Sequence, residues 1–156
     1  MINSDKRDFL KSVVAIGGLG VGAALGLVPL SALAAWPEAA FKADGMAAAA
    51  EAFFGAGTAT ESDAITLKAP DIAENGAVVP ISVATDMPGV TQVAVFVEDN
   101  PSPLAATFDI GENGVADVST RIKMGKTSNV VAMVQADGKL YQTAKEVKVT
   151  IGGCGG

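Results

Sequence analysis

From Ala64 to Ile151 the chain is built of short runs, rich in residues that favour strands and broken by turn-forming residues. Where apolar residues alternate along a run, the period is that of an extended strand, whose successive side chains point to opposite faces. The runs are Ile65–Lys68, Val78–Thr85, Thr91–Glu98, Leu104–Ile110, Val115–Lys123, Asn129–Ala136 and Lys139–Ile151. In the third, Val93, Val95 and Val97 share a face. In the last, Val147, Val149 and Ile151 face one way and Glu146, Lys148 and Thr150 the other. Asp137-Gly138 is a two-residue hairpin turn between the last two runs. Pro88-Gly89, Asn75-Gly76 and Glu112-Asn113-Gly114 mark further turns. Pro80 has no N–H to give to a ladder, which predicts an edge strand or a bulge in the second run. About seven short strands at close spacing predict a mostly β domain, an immunoglobulin-like antiparallel sandwich of two sheets over residues 64–151. A small barrel is the alternative closure of the same strands.

Two regions precede the strands. Residues 1–34 read as an export signal of twin-arginine type: Ser4-Asp5-Lys6-Arg7-Asp8-Phe9-Leu10-Lys11, an apolar run from Val13 to Leu30, then Ala32-Leu33-Ala34 as small residues before a cleavage point. Lys6 stands where the first arginine of that signal is expected. The other reading is an uncleaved anchor, but the run carries five glycines and Pro29 and is only weakly apolar. Export by this route places the protein in the periplasm. Residues 35–63 form a second region, rich in alanine from Trp36 to Phe54, with Pro37 at a first helical position and Glu38 in the first turn. Phe41, Met46, Phe53 and Phe54 make a partial apolar stripe that Gly45 interrupts, which predicts one or two short helices. That stripe either packs on the strand domain or docks on a partner subunit.

Composition removes whole classes of function. The chain has 11 basic and 17 acidic residues. Removal of Asp5, Lys6, Arg7, Asp8 and Lys11 with the signal leaves 8 basic and 15 acidic, a net charge of −7. A domain so acidic is repelled by phosphate backbones and by anionic lipid, and lacks the basic surface that nucleic-acid binding needs. There is no histidine and a single cysteine. Zinc sites of His and Cys, Ser–His–Asp triads and Cys–His pairs are therefore excluded. The acidic residues show no calcium-loop spacing. The sequence names no acid, base or metal constellation, so it predicts neither an enzyme nor a bound cofactor.

The single cysteine stands after the last strand, in Gly152-Gly153-Cys154-Gly155-Gly156. Glycine has the largest backbone entropy and no side chain to pack, so such a segment predicts a flexible, exposed arm and not a strand end. Five extended residues reach about 17 Å at ~3.4 Å each. The thiol is the arm's only side chain, and Gly152, Gly153, Gly155 and Gly156 leave it the clearance to enter a narrow channel in another protein. The arm has no Lys, Arg or His to favour the thiolate, so other proteins must activate the sulfur. That suits a carrier better than an enzyme. The bland readings are a disulfide tether between two copies and an inert tail.

Gly152-Gly153-Cys154-Gly155-Gly156 resembles the C-terminal arm of the SoxY family, the carrier subunits of the bacterial thiosulfate-oxidising Sox system. Pro70-Asp71-Ile72-Ala73-Glu74-Asn75-Gly76, Val79-Pro80, Asn100-Pro101 and Ser119-Thr120-Arg121-Ile122-Lys123-Met124 support the likeness, which covers essentially the whole chain. The resemblance implies a heterodimer with a second sandwich subunit, SoxZ, and covalent attachment of cargo to Cys154. It implies that a c-type cytochrome couples thiosulfate to the thiol, and that a hydrolase with a manganese centre releases sulfate. A molybdenum–haem sulfane dehydrogenase then oxidises the remaining sulfur in hosts that have one. None of these metals belongs to this chain. Arg121 and Lys123, with Ser119 on one strand face, are an ordinary solvated face or a dock for an acidic partner. Ubiquitin-like sulfur carriers also end in Gly-Gly, as Gly155-Gly156 does, but they need ATP-dependent activation, which the export signal argues against. The other rivals are a sandwich that binds a partner while Cys154 tethers a dimer, and an enzyme.

Overall fold

The computed structural model describes residues 36–150. Residues 1–35, with the predicted export signal, and residues 151–156, with the glycine arm, lie outside the described residues. The described chain opens with two short helices, α1 (Glu38–Phe41) and α2 (Met46–Phe54). Nine strands follow: β1 (Thr60–Glu61), β2 (Ile65–Lys68), β3 (Ile72–Ala73), β4 (Val79–Thr85), β5 (Val90–Val97), β6 (Leu104–Asp109), β7 (Asp117–Ile122), β8 (Ser128–Ala136) and β9 (Lys139–Val149). All seven predicted runs are strands, with ends shifted by two residues or fewer. The additions are β1 and β3, two residues each, which periodicity over so short a length cannot reveal.

The strands form two open sheets. The larger runs β1-β9-β8-β5-β6, with β3 also on β9, and the smaller runs β2-β4-β7. The seven long strands pair antiparallel, whereas β1 and β3 lie parallel to β9. Between the sheets, Ile65, Val79, Ile81, Val83 and Ile122 from the small sheet meet Val93, Val95, Val97, Val130, Ala132, Val134 and Val147 from the large one. This is the mostly β, immunoglobulin-like sandwich that the alternation predicts. The β8–β9 hairpin turns at Asp137 (φ 48°) and Gly138 (φ 71°), the paired positive angles of a type I′ turn. Asp is one of the few side chains that tolerates the first position.

The large sheet is covered on its second face as well. Ala94, Phe96, Leu104, Val131, Met133 and Leu140 point away from the sandwich core and are buried. Ala40, Ala49 and Ala50 of the helices pack directly on them, with Phe41, Met46, Phe53 and Phe54 partly buried around them. The small alanines let the helix backbones come close to the sheet. The helical stripe thus packs on its own domain. Gly45 (φ 92°) is the break between α1 and α2, and Pro37 sits one position before α1 rather than at its first residue. As a result β5 and β8 are apolar almost without interruption, as strands buried on both faces must be.

Pro80 is a correction. Its strand β4 is the centre of the small sheet, not an edge, and no register shift interrupts its pairing. The β2 ladder stops at Lys68 opposite Ser82, so at Pro80 only β7 is alongside, through Arg121. The proline occupies the one stretch of a central strand where a neighbour is missing.

Candidate functional site

The predicted working residue, Cys154, and its glycines Gly152, Gly153, Gly155 and Gly156 lie outside the described residues. The structure describes the platform from which that segment departs. β9 carries the chain to it, and its last residues are held from two sides. Lys148 N–H donates to the Asp71 carbonyl at 3.0 Å and Thr150 N–H to the Ala73 carbonyl at 3.2 Å. The pairs Ile72–Lys148 and Ala73–Val149 make this a short parallel splint along β9. On the other side β8 ends at Ser128, opposite Val147. There the Thr127 hydroxyl takes over and accepts from Val149 N–H at 3.0 Å. Lys145 fastens the splint from beneath: its ammonium donates to the Asp71 carboxylate at 2.9 Å and to the Ala69 carbonyl at 2.5 Å.

The splint is itself anchored by the Asn75-Gly76 turn. The Asn75 side-chain oxygen accepts from Ala77 N–H at 2.9 Å, and its carbonyl accepts from Val78 N–H at 3.2 Å. Gly76 is buried, and its carbonyl accepts from Met124 N–H at 2.7 Å. A Cβ at this position would run into the Met124 carbonyl oxygen and come within 2.9 Å of Val149 Cγ1. Only glycine allows the two loops and the end of β9 to close together. A third loop joins through Asn100, whose amide donates to the Lys123 carbonyl at 2.7 Å and accepts from Gly125 N–H at 3.1 Å.

The stretches Pro70–Gly76, Val79-Pro80, Asn100-Pro101 and Ser119–Met124 thus meet at one end of the sandwich, around the departure point of residues 151–156. Val79 pairs with Ile122 and Pro80 with Arg121, which completes the circle. In sequence these stretches are scattered. Thr127, Asn100 and Lys145 carry long-range hydrogen bonds that no local spacing reveals, and only the Asn75-Gly76 turn was visible beforehand. Ile72 and Val78 are 57% and 49% exposed beside this end. Ser119, Arg121 and Lys123 all point to solvent from the small sheet. Neither cation forms an ion pair with a described residue. Among the described residues no three acidic side chains come close enough to hold a metal ion.

Residues 50–154 match the family described as sulfur oxidation protein SoxY. The chain belongs to the SoxY family. The match runs from α2 through both sheets to Cys154 itself, the last residue matched. Among solved structures the chain is similar to the sulfur carrier protein SoxY from Chlorobium limicola f thiosulfatophilum, at 50% identity over 66% of this chain and 94% of that one, with a TM-score of 0.59. A superoxide reductase (neelaredoxin) from Ignicoccus hospitalis is similar over 55% of this chain and 80% of its own, at 16% identity and a TM-score of 0.49, too distant to carry an argument. No curated protein sequence matches. Membership of the SoxY family assigns this chain to sulfur oxidation and, in general terms, to the proteins of the Sox system.

Proposed function

We propose that this SoxY-family chain is a periplasmic sulfur carrier, exported by the twin-arginine route, that holds thiosulfate-derived intermediates covalently on Cys154 while other enzymes process them. The observation that supports it most is the order of parts along the chain: a splinted β9, then Thr150 and Ile151, then Gly-Gly-Cys-Gly-Gly. Cargo chemistry at a single thiol needs a fixed base and a slender end. In the first step the Cys154 thiol and thiosulfate lose two electrons and one proton. A sulfur–sulfur bond forms, giving a cysteine S-thiosulfonate, and the c-type cytochrome partner takes the electrons. In the second, water attacks the terminal sulfonate sulfur. The bond to the sulfane sulfur breaks, sulfate leaves, and a persulfide stays on Cys154. The manganese-dependent hydrolase supplies that chemistry, and a sulfane dehydrogenase acts on the persulfide in hosts that have one. A SoxZ-type subunit completes the carrier as a heterodimer. This chain contributes the attachment site and no catalytic group.

Intact and peptide mass spectrometry test the reading. The reduced mature chain with its SoxZ-type partner is incubated with thiosulfate and the cytochrome. An adduct of the mass of thiosulfate on Cys154 alone is expected, and Cys154→Ala should take none. A disulfide-linked dimer that accepts no adduct, or a modification at the carboxylate of Gly156, would overturn it.

A further inference from the structure

The charges of the sandwich are sorted by end. At the end opposite the departure point of residues 151–156, the loops and strand termini bring together Asp63, Asp86, Asp109, Glu112, Asp117 and Asp137, against Lys139 alone. These positions follow from register: Ile65 pairs with Thr85, Gln92 with Asp109, Ala84 with Asp117, and Ala136 with Lys139. Six acids against one base make this pole strongly negative. The arm pole is balanced: Asp71, Glu74, Glu98, Asp99 and Glu146 stand there with Arg121, Lys123, Lys126, Lys145 and Lys148, and Asp71 and Asp99 are paired with Lys145 and Lys126. Two cations at this pole, Arg121 and Lys123, have no described partner. They line a groove of about 510 Å³ with Asn100, Pro101, Leu104 and Gly125, and no carboxylate lines it. Its floor is apolar and its rim is cationic.

Place and charge together define what fits this groove. Cys154 lies four residues beyond Thr150, so it reaches at most about 14 Å from the last described residue at ~3.4 Å per residue. Any protein that takes this thiol into its own active site must press against the arm pole. The groove is on that pole: Asn100 bonds to Lys123 and Gly125, and the same loop reaches Gly76 and Val149 through Met124 and Thr127. We propose that the groove is where enzymes acting on Cys154 dock, through a surface or segment that bears carboxylates. The cationic rim attracts such a surface while the acidic far pole repels it, so the carrier meets its enzyme arm-first. Sorted charge of this kind acts mainly on encounter rate and orientation. The proposal rests on the carrier reading above, which supplies the enzymes.

The test uses the carrier with its SoxZ-type partner and the thiosulfate-conjugating cytochrome. R121E/K123E reverses the rim, and D86K/E112K reverses part of the far pole. Both pairs are exposed, so native circular dichroism is expected. Two readouts are taken for each: the affinity of carrier for cytochrome, and kcat and KM for adduct formation on Cys154. Alkylation by iodoacetamide measures the intrinsic access of the thiol. Rim reversal is expected to weaken binding and raise KM about tenfold at low salt, with kcat within about twofold and alkylation unchanged. The loss shrinks in 0.5 M salt, where screening shortens the field. The far-pole variant does not raise KM. Unchanged affinity on rim reversal overturns the groove and leaves the carrier intact. Wild-type protein that binds the cytochrome in a rim-dependent way but takes no adduct overturns the carrier reading instead. Failure of wild type to bind at all overturns both.

Discussion

The middle of the large sheet and the arm end of the sandwich are built on opposite terms. β5 and β8 are buried on both faces, between the small sheet and the two helices, and their contacts are almost wholly apolar. The arm end also has core beneath it, in Ala73, Val79, Ile122, Met124 and Val147, but its surface is built differently. It is three loops and a strand terminus tied by hydrogen bonds: Asn75, Gly76, Asn100, Thr127 and the backbone of Asp71 and Ala73. Apolar burial is non-directional and supplies most of the stability, whereas hydrogen bonds contribute less each but fix position. The difference teaches that the fold and the fixing of the end of β9 are separable. One region can be damaged without the other.

The most severe test is Phe96→Ala. Phe96 is fully buried beneath the helices, and its loss should cost about 3–5 kcal/mol in urea or thermal unfolding. Where the variant remains folded, adduct formation on Cys154 should match wild type; a variant as stable as wild type would deny that the helix-covered face is core. Next comes Gly76→Ala, expected to cost about 1–3 kcal/mol because the Met124 carbonyl is backbone and must shift. Hydrogen exchange should show faster loss of protection at Val149 and Thr150 than at Val95. Equal loss at both would mean that the two regions are one cooperative unit. Asn100→Ala should cost about 1–2 kcal/mol through two lost hydrogen bonds to backbone, with increased exchange confined to residues 123–127. The mildest is Gly153→Val, with no stability change beyond about 0.5 kcal/mol. Its effect should be slower turnover by the partner enzymes, and unaltered turnover would undo the narrow-channel argument.

The sequence spoke most clearly where one physical rule acts locally. Alternation marked the strands, and Asp137-Gly138 marked the hairpin because few residues accept its backbone angles. Phe41, Met46, Phe53 and Phe54 announced an amphipathic helical region but not the surface it covers. Val93, Val95 and Val97 declared one buried face of β5, whereas the burial of Ala94 and Phe96 depends on helices some fifty residues earlier in the chain. Pro80 misled because its rule concerns the local neighbour, and a central strand can lack one near its end. Cys154 stood out for its surroundings of glycine. The clamp at the end of β9 did not, since Asp71, Asn100 and Thr127 are ordinary surface residues until the fold brings their loops together.

The parallel splint on β9 also has a mechanical consequence. Under the proposed function, an enzyme that holds cargo on Cys154 while the rest of the carrier diffuses pulls on the end of β9. Because β9 is eleven residues long and paired along it with β8, the load falls on many hydrogen bonds at once, in shear. The Asp71 and Ala73 carbonyls share the pull at the very end, where peeling would otherwise begin. A carrier working as proposed is thus tugged by its end without opening the sheet.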